Sequence, residues 1–223
     1  MSAVIHGDEP AGAEALVRWA EARLPTLARD RHTPGLFLVP CLNPWGLVNN
    51  QRTDPAGRDL NRIFHRRDVA PVPDLKRALR GWEFGASLHL HEDYDAHGMY
   101  LYEVGDFEEG WGPGLLRAAR SRAVPVDERQ RIDNWRFKDG LLAHAIPVED
   151  IPEHPERLHL RNHHTTRTIT FETPSEFGLA QRVRAHTLLI EACLQRLTTL
   201  TKLTTKSPEK PPFPGRSRPR RHG

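Results

Sequence analysis

The sequence predicts an α/β fold in which helices cover both faces of a sheet. Apolar runs of strand length alternate along the chain with segments whose apolar residues recur at helical spacing. The run at 35–42 is continuously apolar, as in strands buried on both faces, whereas the segment from Ala13 to Leu24 has helical spacing and ends at Pro25. Ligands of such sheets collect at the carboxyl ends of the strands, so polar residues at those ends are the functional candidates.

Composition restricts the domain organisation and the class of protein. A chain of 223 residues suits one domain, which we expect over residues 1–200, followed by a disordered, basic, Pro-rich tail over 201–223. The tail holds seven basic groups against one acid, so it accounts for the pI near 9.1 and we expect no specific nucleic-acid partner.

Cysteine content and hydropathy indicate the compartment. The two cysteines are too few for a disulfide framework, which favours a reducing environment. The chain opens on no signal-peptide pattern, and no apolar run reaches membrane-spanning length. We therefore expect a cytoplasmic protein with no membrane partner; the sequence leaves its oligomeric state open.

A His-x-x-Glu motif lies close to the start of the chain. A short apolar run ends at His6, Gly7 permits a tight turn, and Glu9 immediately precedes Pro10, a residue that suits the first turn of a helix. An imidazole and a carboxylate three residues apart can bind one divalent metal ion. The motif is short and more often faces solvent in isolation, so a metal site needs a third ligand elsewhere.

Other strand ends supply further candidates. Asn43, His89 and Glu172 each lie at or just past the end of a predicted strand. The segment 49–62 is a long polar loop, and loops of this length within a domain are usually functional. The structural alternatives are a helix-capping Glu172 and solvated arginines in the loop.

Five sequence pieces occur in an order that resembles a known family. They are His6-x-x-Glu9, Asn43-Pro44-Trp45-Gly46 with Arg52, Gly57 to Arg62, Ser87-Leu88-His89, and Thr170 to Thr173. Together they resemble the carboxypeptidase A-like zinc metallocarboxypeptidases, whose framework the aspartoacylase and succinylglutamate desuccinylase deacylases share. The resemblance covers roughly residues 1–195 and implies a three-layer α/β/α sandwich around a mixed, mostly parallel sheet.

The resemblance also implies a metal and a base. One zinc ion would be held by His6, Glu9 and His89, with water as the fourth ligand. Glu172 would take the proton of that water and return it to the leaving amine. His91 is an alternative, because the run from His89 to Asp93 also resembles the His-x-His-x-Asp-His signature of metallo-β-lactamase-like hydrolases. In that signature Tyr94 would occupy the position of the last histidine, and His6 would have no role.

Substrate-holding roles follow from the same resemblance. Arg52 would face the developing oxyanion, while Asn61 and Arg62 would hold a terminal carboxylate, which a guanidinium binds with two parallel hydrogen bonds. The implied function is a metallocarboxypeptidase; the alternative is an N-acyl amino acid deacylase, so the partner is a peptide or N-acyl amino acid with a free carboxylate. A zinc-free binding protein that kept the fold, or a nucleic-acid binder using the tail, represents a different class.

Two features depart from the family pattern. The usual tyrosine before the catalytic glutamate is missing, because the three tyrosines, Tyr94, Tyr100 and Tyr102, all follow His89 closely. The family normally has strands before the His-x-x-Glu motif, whereas five residues precede His6 here. Either the native chain begins upstream of Met1 or the domain lacks part of its sheet; for the sequence as given, we expect a sheet with an exposed edge.

Overall fold

The computed structural model describes residues 1–105, 108–132, 135–143 and 155–204. The strands are β1 (Ser2–Ala3), β2 (Ser87–Asp93), β3 (Tyr100–Gly105), β4 (Arg131–Ile132), β5 (Trp135–Arg136), β6 (Leu141–Ala143) and β7 (Arg167–Pro174). The helices are α1 (Ala11–Leu27), α2 (Pro44–Asn49), α3 (Val72–Ala78), α4 (Gly112–Ser121), α5 (Glu156–His163) and α6 (Leu179–Thr204). No helix in these ranges is long and apolar enough to cross a membrane.

Five strands form the main sheet in the order β1-β2-β7-β3-β6. The β1–β2, β2–β7 and β3–β6 pairs are parallel, and the β3–β7 pair is antiparallel. The predicted mixed, mostly parallel sheet is confirmed. Strands β4 and β5 form a separate antiparallel pair.

The two faces of the sheet have different characters, because side chains alternate along each strand. One face presents Leu88, Leu90, Ile169 and Phe171 to α1, α4 and α6, and these residues share the largest apolar core. Each fully buried apolar side chain of this kind contributes roughly 1.5–3 kcal/mol. The opposite face is polar on β2 and β7 and is covered by α3, α5 and the loop after α2, which completes the three-layer arrangement.

The apolar run at 35–42 is not the doubly buried strand that its composition predicts. Only Val39 forms a bridge, parallel to Ser2, and residues 35–40 are partly or fully exposed. The run lies at the edge of the sheet, so one side of its backbone has a sheet neighbour and the apolar side chains pack only partly.

Three further boundaries differ from the prediction. Helix α1 continues past Pro25, which lies in the last turn and therefore removes one hydrogen bond without ending the helix. Helix α6 continues to Thr204, so residues 201–204 are helical and the predicted tail begins later; residues 205–223 lie outside the described part of the chain. The segment 125–165, for which the sequence predicts no regular element, contains α5.

Candidate functional site

The His6–Glu9 turn follows β1 and is held by contacts with the segment around α2. Val4 has a φ of 53°, and its carbonyl accepts a 2.8 Å hydrogen bond from the Asn43 amide. Gly7 packs so closely on α2 that an added Cβ would lie 2.1 Å from the Gly46 carbonyl carbon. Glycine is therefore required in the turn for its small size. The Asn43 side chain accepts from the Gly46 amide, which makes it the N-cap of α2.

The Glu9 carboxylate lies between two imidazoles. Its Oε1 is 2.6 Å from His6 Nδ1, and its Oε2 is 2.8 Å from His91 Nδ1. The Glu92 amide donates to the same Oε2 at 3.1 Å. All three side chains are buried, their ligand atoms lie within 4.8 Å of one another, and the two rings have centroids 5.0 Å apart. Two nitrogens and one oxygen form a donor set that zinc accepts.

In the structure His91, and not the predicted His89, lies in one group with His6 and Glu9, so the candidate ligand set differs from the predicted one. The two histidines lie on the same face of β2, two residues apart. Strand β1 pairs Ser2 with His89, so the turn that carries His6 lies further along, at the level of His91. His89 Nδ1 is instead 3.1 Å from Ser2 Oγ and 3.2 Å from Glu156 Oε2. Side-chain alternation along β2 does not distinguish the two histidines, because both point to the same face. The pairing register of β1 with β2 does, because it places the turn that carries His6 beside His91.

The charges within this group favour a positive charge beside Glu9. Burial alone would lower the pKa of His6, but the Glu9 carboxylate and the Asp59 carboxylate raise it to about 9. The same interactions with His6 and His91 outweigh burial and hold the pKa of Glu9 well below its usual range. A buried carboxylate of this kind is stable only beside a positive charge, either a proton on the imidazole or a metal ion. The residues present therefore fit a metal.

Asp59 and Arg52 surround the outer side of His6. Asp59 Oδ1 lies 3.3 Å from His6 Nε2, and Asp59 Oδ2 accepts a 3.0 Å hydrogen bond from Arg52 Nε. The Arg52 Nη1 atom is 3.4 Å from Glu9 Oε1, and its side chain is 44% exposed. The arginine thus reaches the group from the solvent side, while the Asp59 carboxylate lies next to the outer nitrogen of the His6 ring. Arg58 is instead paired with Asp54 in the loop.

Glu172 stands on β7 directly beside this group. It pairs in register with His91 on one side and with Tyr100 on the other, so its side chain points to the polar face. The side chain is partly buried, and burial together with Glu9 and Asp93 raises its pKa to about 8 against the opposing effect of His91. Tyr100 donates a 2.8 Å hydrogen bond to Asp93. Glu172 is outside the three-residue group and close to it.

Asn61 and Arg62 lie on the same loop as Asp59. The Asn61 amide donates to Asp59 Oδ1 at 2.9 Å, and its side-chain oxygen accepts from the Glu156 amide at 3.0 Å. Arg62 Nε is 3.7 Å from Asp59 Oδ2 with a side chain that is 56% exposed. Both residues are thus tied to the histidine group through one carboxylate.

Helix α5 contributes residues that the sequence analysis missed. Glu156 contacts His89, and the Arg157 guanidinium lies 5.3 Å from the centre of the Tyr102 ring. Arg157 Nε is buried without a hydrogen-bond partner in the described residues, and this guanidinium and the Glu172 carboxyl shift each other's pKa. The apolar pattern does not reveal α5, because its only aliphatic residues, Leu158 and Leu160, are two residues apart and are surrounded by histidine and arginine.

Comparison with known proteins gives one family match and several structural neighbours. Residues 1–92 match the Succinylglutamate desuccinylase/Aspartoacylase catalytic domain. No curated protein matches the sequence. A Shewanella denitrificans OS217 protein provisionally assigned as a metallopeptidase is 20% identical, with a TM-score of 0.73 over 88% of this chain and 72% of that chain. The predicted resemblance to the zinc carboxypeptidase-like family is confirmed.

Two further neighbours extend this result. A second protein with the same provisional assignment, from Shewanella amazonensis SB2B, is 20% identical with a TM-score of 0.74 over 88% of this chain and 75% of that chain. The Helicobacter pylori D,L-carboxypeptidase Csd4 in its mDAP-bound form is 18% identical, with a TM-score of 0.57 over 87% of this chain and 49% of that chain. At identities this low, the structural similarity shows a shared zinc carboxypeptidase-like fold. With the domain match, they support a hydrolase of the carboxypeptidase or deacylase class.

Proposed function

We propose that the protein is a zinc-dependent metallocarboxypeptidase that hydrolyses a C-terminal peptide bond. The observation that carries the proposal is the convergence of His6, Glu9 and His91 beside Glu172. These three residues would hold one zinc ion. Their strand-end position agrees with the general location of active sites in α/β sheets.

The chemistry needs a separate carboxylate. When bound, zinc supplies Lewis acidity and lowers the pKa of a coordinated water to about 7. Glu172 accepts the proton that the attacking water loses and passes it to the nitrogen of the leaving amine, so one water is consumed for each bond cleaved. Glu9 cannot do this, because a carboxylate that would bind the zinc ion is not free to exchange protons with the water.

The loop supplies groups that hold the substrate. The Asn61 side-chain oxygen accepts from the Glu156 amide, which leaves its NH₂ group as the part that would donate to a substrate carboxylate. Arg62 adds a guanidinium, which pairs with carboxylates through two parallel hydrogen bonds. Arg52 lies within 3.4 Å of Glu9 and would stabilise charge that develops on the substrate carbonyl oxygen.

An N-acyl amino acid deacylase is the second candidate, and the match of residues 1–92 to a deacylase catalytic domain favours it. The polar groups named above would serve either reaction, since both substrates have an amide bond and a free carboxylate. The H. pylori neighbour, which has been solved with a tripeptide bound, favours the peptidase. The two candidates differ in the group on the acyl side of the amide.

The test combines metal content with product analysis. The zinc-loaded protein is incubated with short peptides and, separately, with N-acetyl and N-succinyl amino acids, and the released amino acids are quantified. We expect release of the C-terminal residue from peptides. Faster release from the N-acyl amino acids would establish the second candidate, and no release from either set would overturn both.

The Glu172→Gln variant tests the proposed base. We expect it to keep its zinc and to lose roughly 10²–10⁴-fold in turnover, the usual contribution of general acid–base catalysis. Glu176→Gln is the matched control, because Glu176 is exposed and lies on the segment after β7. Turnover in Glu172→Gln equal to that of the control would remove Glu172 from this role.

A further inference from the structure

Three histidines form a second group of imidazoles at the C-terminal end of α5. His159 and His163 are four residues apart on the helix and therefore share one face, and His164 is the C-cap residue. His154, the nearest histidine before α5 in the sequence, lies outside the described residues.

The spacing of the rings matches that of two imidazoles on one metal ion. The ring centroids are 4.7 Å apart for His159–His163, 5.4 Å for His159–His164 and 6.3 Å for His163–His164. With a zinc–nitrogen bond of about 2.0 Å, each ring centre lies roughly 3.2 Å from the ion, so two rings in a tetrahedral site are about 5 Å apart. The His6–His91 separation in the first group is 5.0 Å.

Two of the rings are held in place with a nitrogen available. His164 Nδ1 lies 2.9 Å from the Trp82 carbonyl oxygen, which can only accept, so Nδ1 carries the hydrogen and Nε2 keeps a lone pair. A carbonyl partner on the other ring nitrogen is the usual support of a metal-binding histidine. The His159 ring is held against Phe64, with centroids 5.5 Å apart. Burial, with Lys76 and the two neighbouring histidines, lowers the pKa of His159 to about 4.

The His163 ring must move before all three histidines can bind one metal ion. Among the described residues, only His6, Glu9 and His91 bring three ligand atoms within 4.8 Å of one another. His163 is exposed, so its side chain can rotate toward His164, from which its ring centroid is now 6.3 Å away, without disturbing the core. The cost is the rotamer freedom of one surface side chain, which is small beside the formation of a metal–nitrogen bond.

The donor set selects the kind of ion. Three imidazoles without a carboxylate suit Zn²⁺, Cu²⁺ or Ni²⁺ and do not suit Mg²⁺ or Ca²⁺, which prefer oxygen ligands. The Lys76 ammonium, which packs over Phe64, is close enough to lower the pKa of His159 and would weaken the binding of any cation. We propose that His159, His163 and His164 form a second site for a borderline divalent metal ion, weaker than the site at His6, Glu9 and His91.

The test counts zinc ions bound by the full chain. Metal-free protein is titrated with Zn²⁺ by calorimetry, and the bound metal is counted after equilibrium dialysis. We expect two ions per chain, one tight and one weak. His163→Gln should lose the weak ion and keep the tight one, and His91→Ala should do the reverse. His97→Gln, which alters an exposed histidine elsewhere, should keep both.

A Zn²⁺ titration of one further variant and melting curves of His163→Gln complete the test of the weak site. Lys76→Met should strengthen the weak site several-fold, because it removes the neighbouring positive charge. Melting curves in chelator should be unchanged in His163→Gln, which shows that the variant folds. Saturation of the wild type at one ion, or two ions retained by His163→Gln, would overturn the proposal. Neither outcome bears on peptidase activity, which is measured separately.

Discussion

Two groups of imidazoles have nearly the same ring spacing and very different surroundings. In the first, His6 and His91 flank the buried Glu9 carboxylate, with ring centroids 5.0 Å apart. In the second, His159 and His163 have centroids 4.7 Å apart with His163 in solvent, beside the Lys76 ammonium. The first group contains a negative charge that a cation must neutralise, and the second contains none.

This difference predicts which group performs chemistry. A buried carboxylate fixes the ligand atoms before any ion arrives, and Glu172 stands next to them in register with His91. Preorganisation of this kind is the main source of electrostatic catalysis. The second group has no described carboxylate of its own, so we expect it to bind metal without hydrolysing substrate. Four experiments test this difference, in order of decreasing expected effect.

Replacing each of the two histidines of β2 tests the corrected ligand assignment. We expect His91→Ala to lose the tight zinc and all measurable turnover, because one of three protein ligands is gone. His89→Ala should keep the zinc and lose about 1–3 kcal/mol of stability, since the buried Glu156 and Ser87 side chains lose a partner. Zinc content, turnover and melting temperature are measured for both. Zinc lost from His89→Ala but kept by His91→Ala would restore the sequence-based assignment.

Arg52→Met tests the oxyanion role. Removing one such donor typically lowers kcat by about 10²–10³-fold, and we expect this loss with one tight zinc still bound. Arg18→Met is the control, because Arg18 is an exposed residue of α1 paired with Glu14. Steady-state kinetics separate kcat from KM. A change confined to KM would instead place Arg52 in ground-state binding of the substrate.

Gly7→Ala tests whether the turn must pack closely on α2. The added methyl would overlap the Gly46 backbone and the Gln51 carbonyl, so we expect a stability loss of about 1–3 kcal/mol and weaker tight-site zinc binding. Gly35→Ala is the matched control, because no atom lies within 4 Å of its added Cβ. Urea denaturation and zinc titration measure both effects. Equal stability of the two variants would show that the turn tolerates a side chain.

His163→Gln should have the smallest effect on turnover. An exposed surface substitution changes stability by at most about 0.5 kcal/mol, so we expect kcat within about twofold of the wild type. Activity is compared at a zinc concentration that fills only the tight site. A large loss of kcat would mean that the two imidazole groups act together, and would contradict the expectation that only the first group performs chemistry.

The sequence by itself determined the fold class and most of the first group. Alternating apolar runs predict the α/β sheet, and His6, Gly7 and Glu9 form a local motif whose geometry depends on four consecutive residues. The edge position of the run at 35–42 was not predictable, because an apolar run does not show how many neighbours it will have. Helix α5 was missed because histidine and arginine interrupt its periodicity.

Only the tertiary structure decided how distant residues meet. His89 and His91 share a face of β2, so their alternation is identical, and the β1–β2 register alone selects His91. The contact between Asn61 and Glu156 joins positions 95 residues apart, which no local pattern can encode. The physical reason is that short-range periodicity fixes which face a side chain takes, whereas its partners depend on strand register and loop packing, which the whole chain sets together.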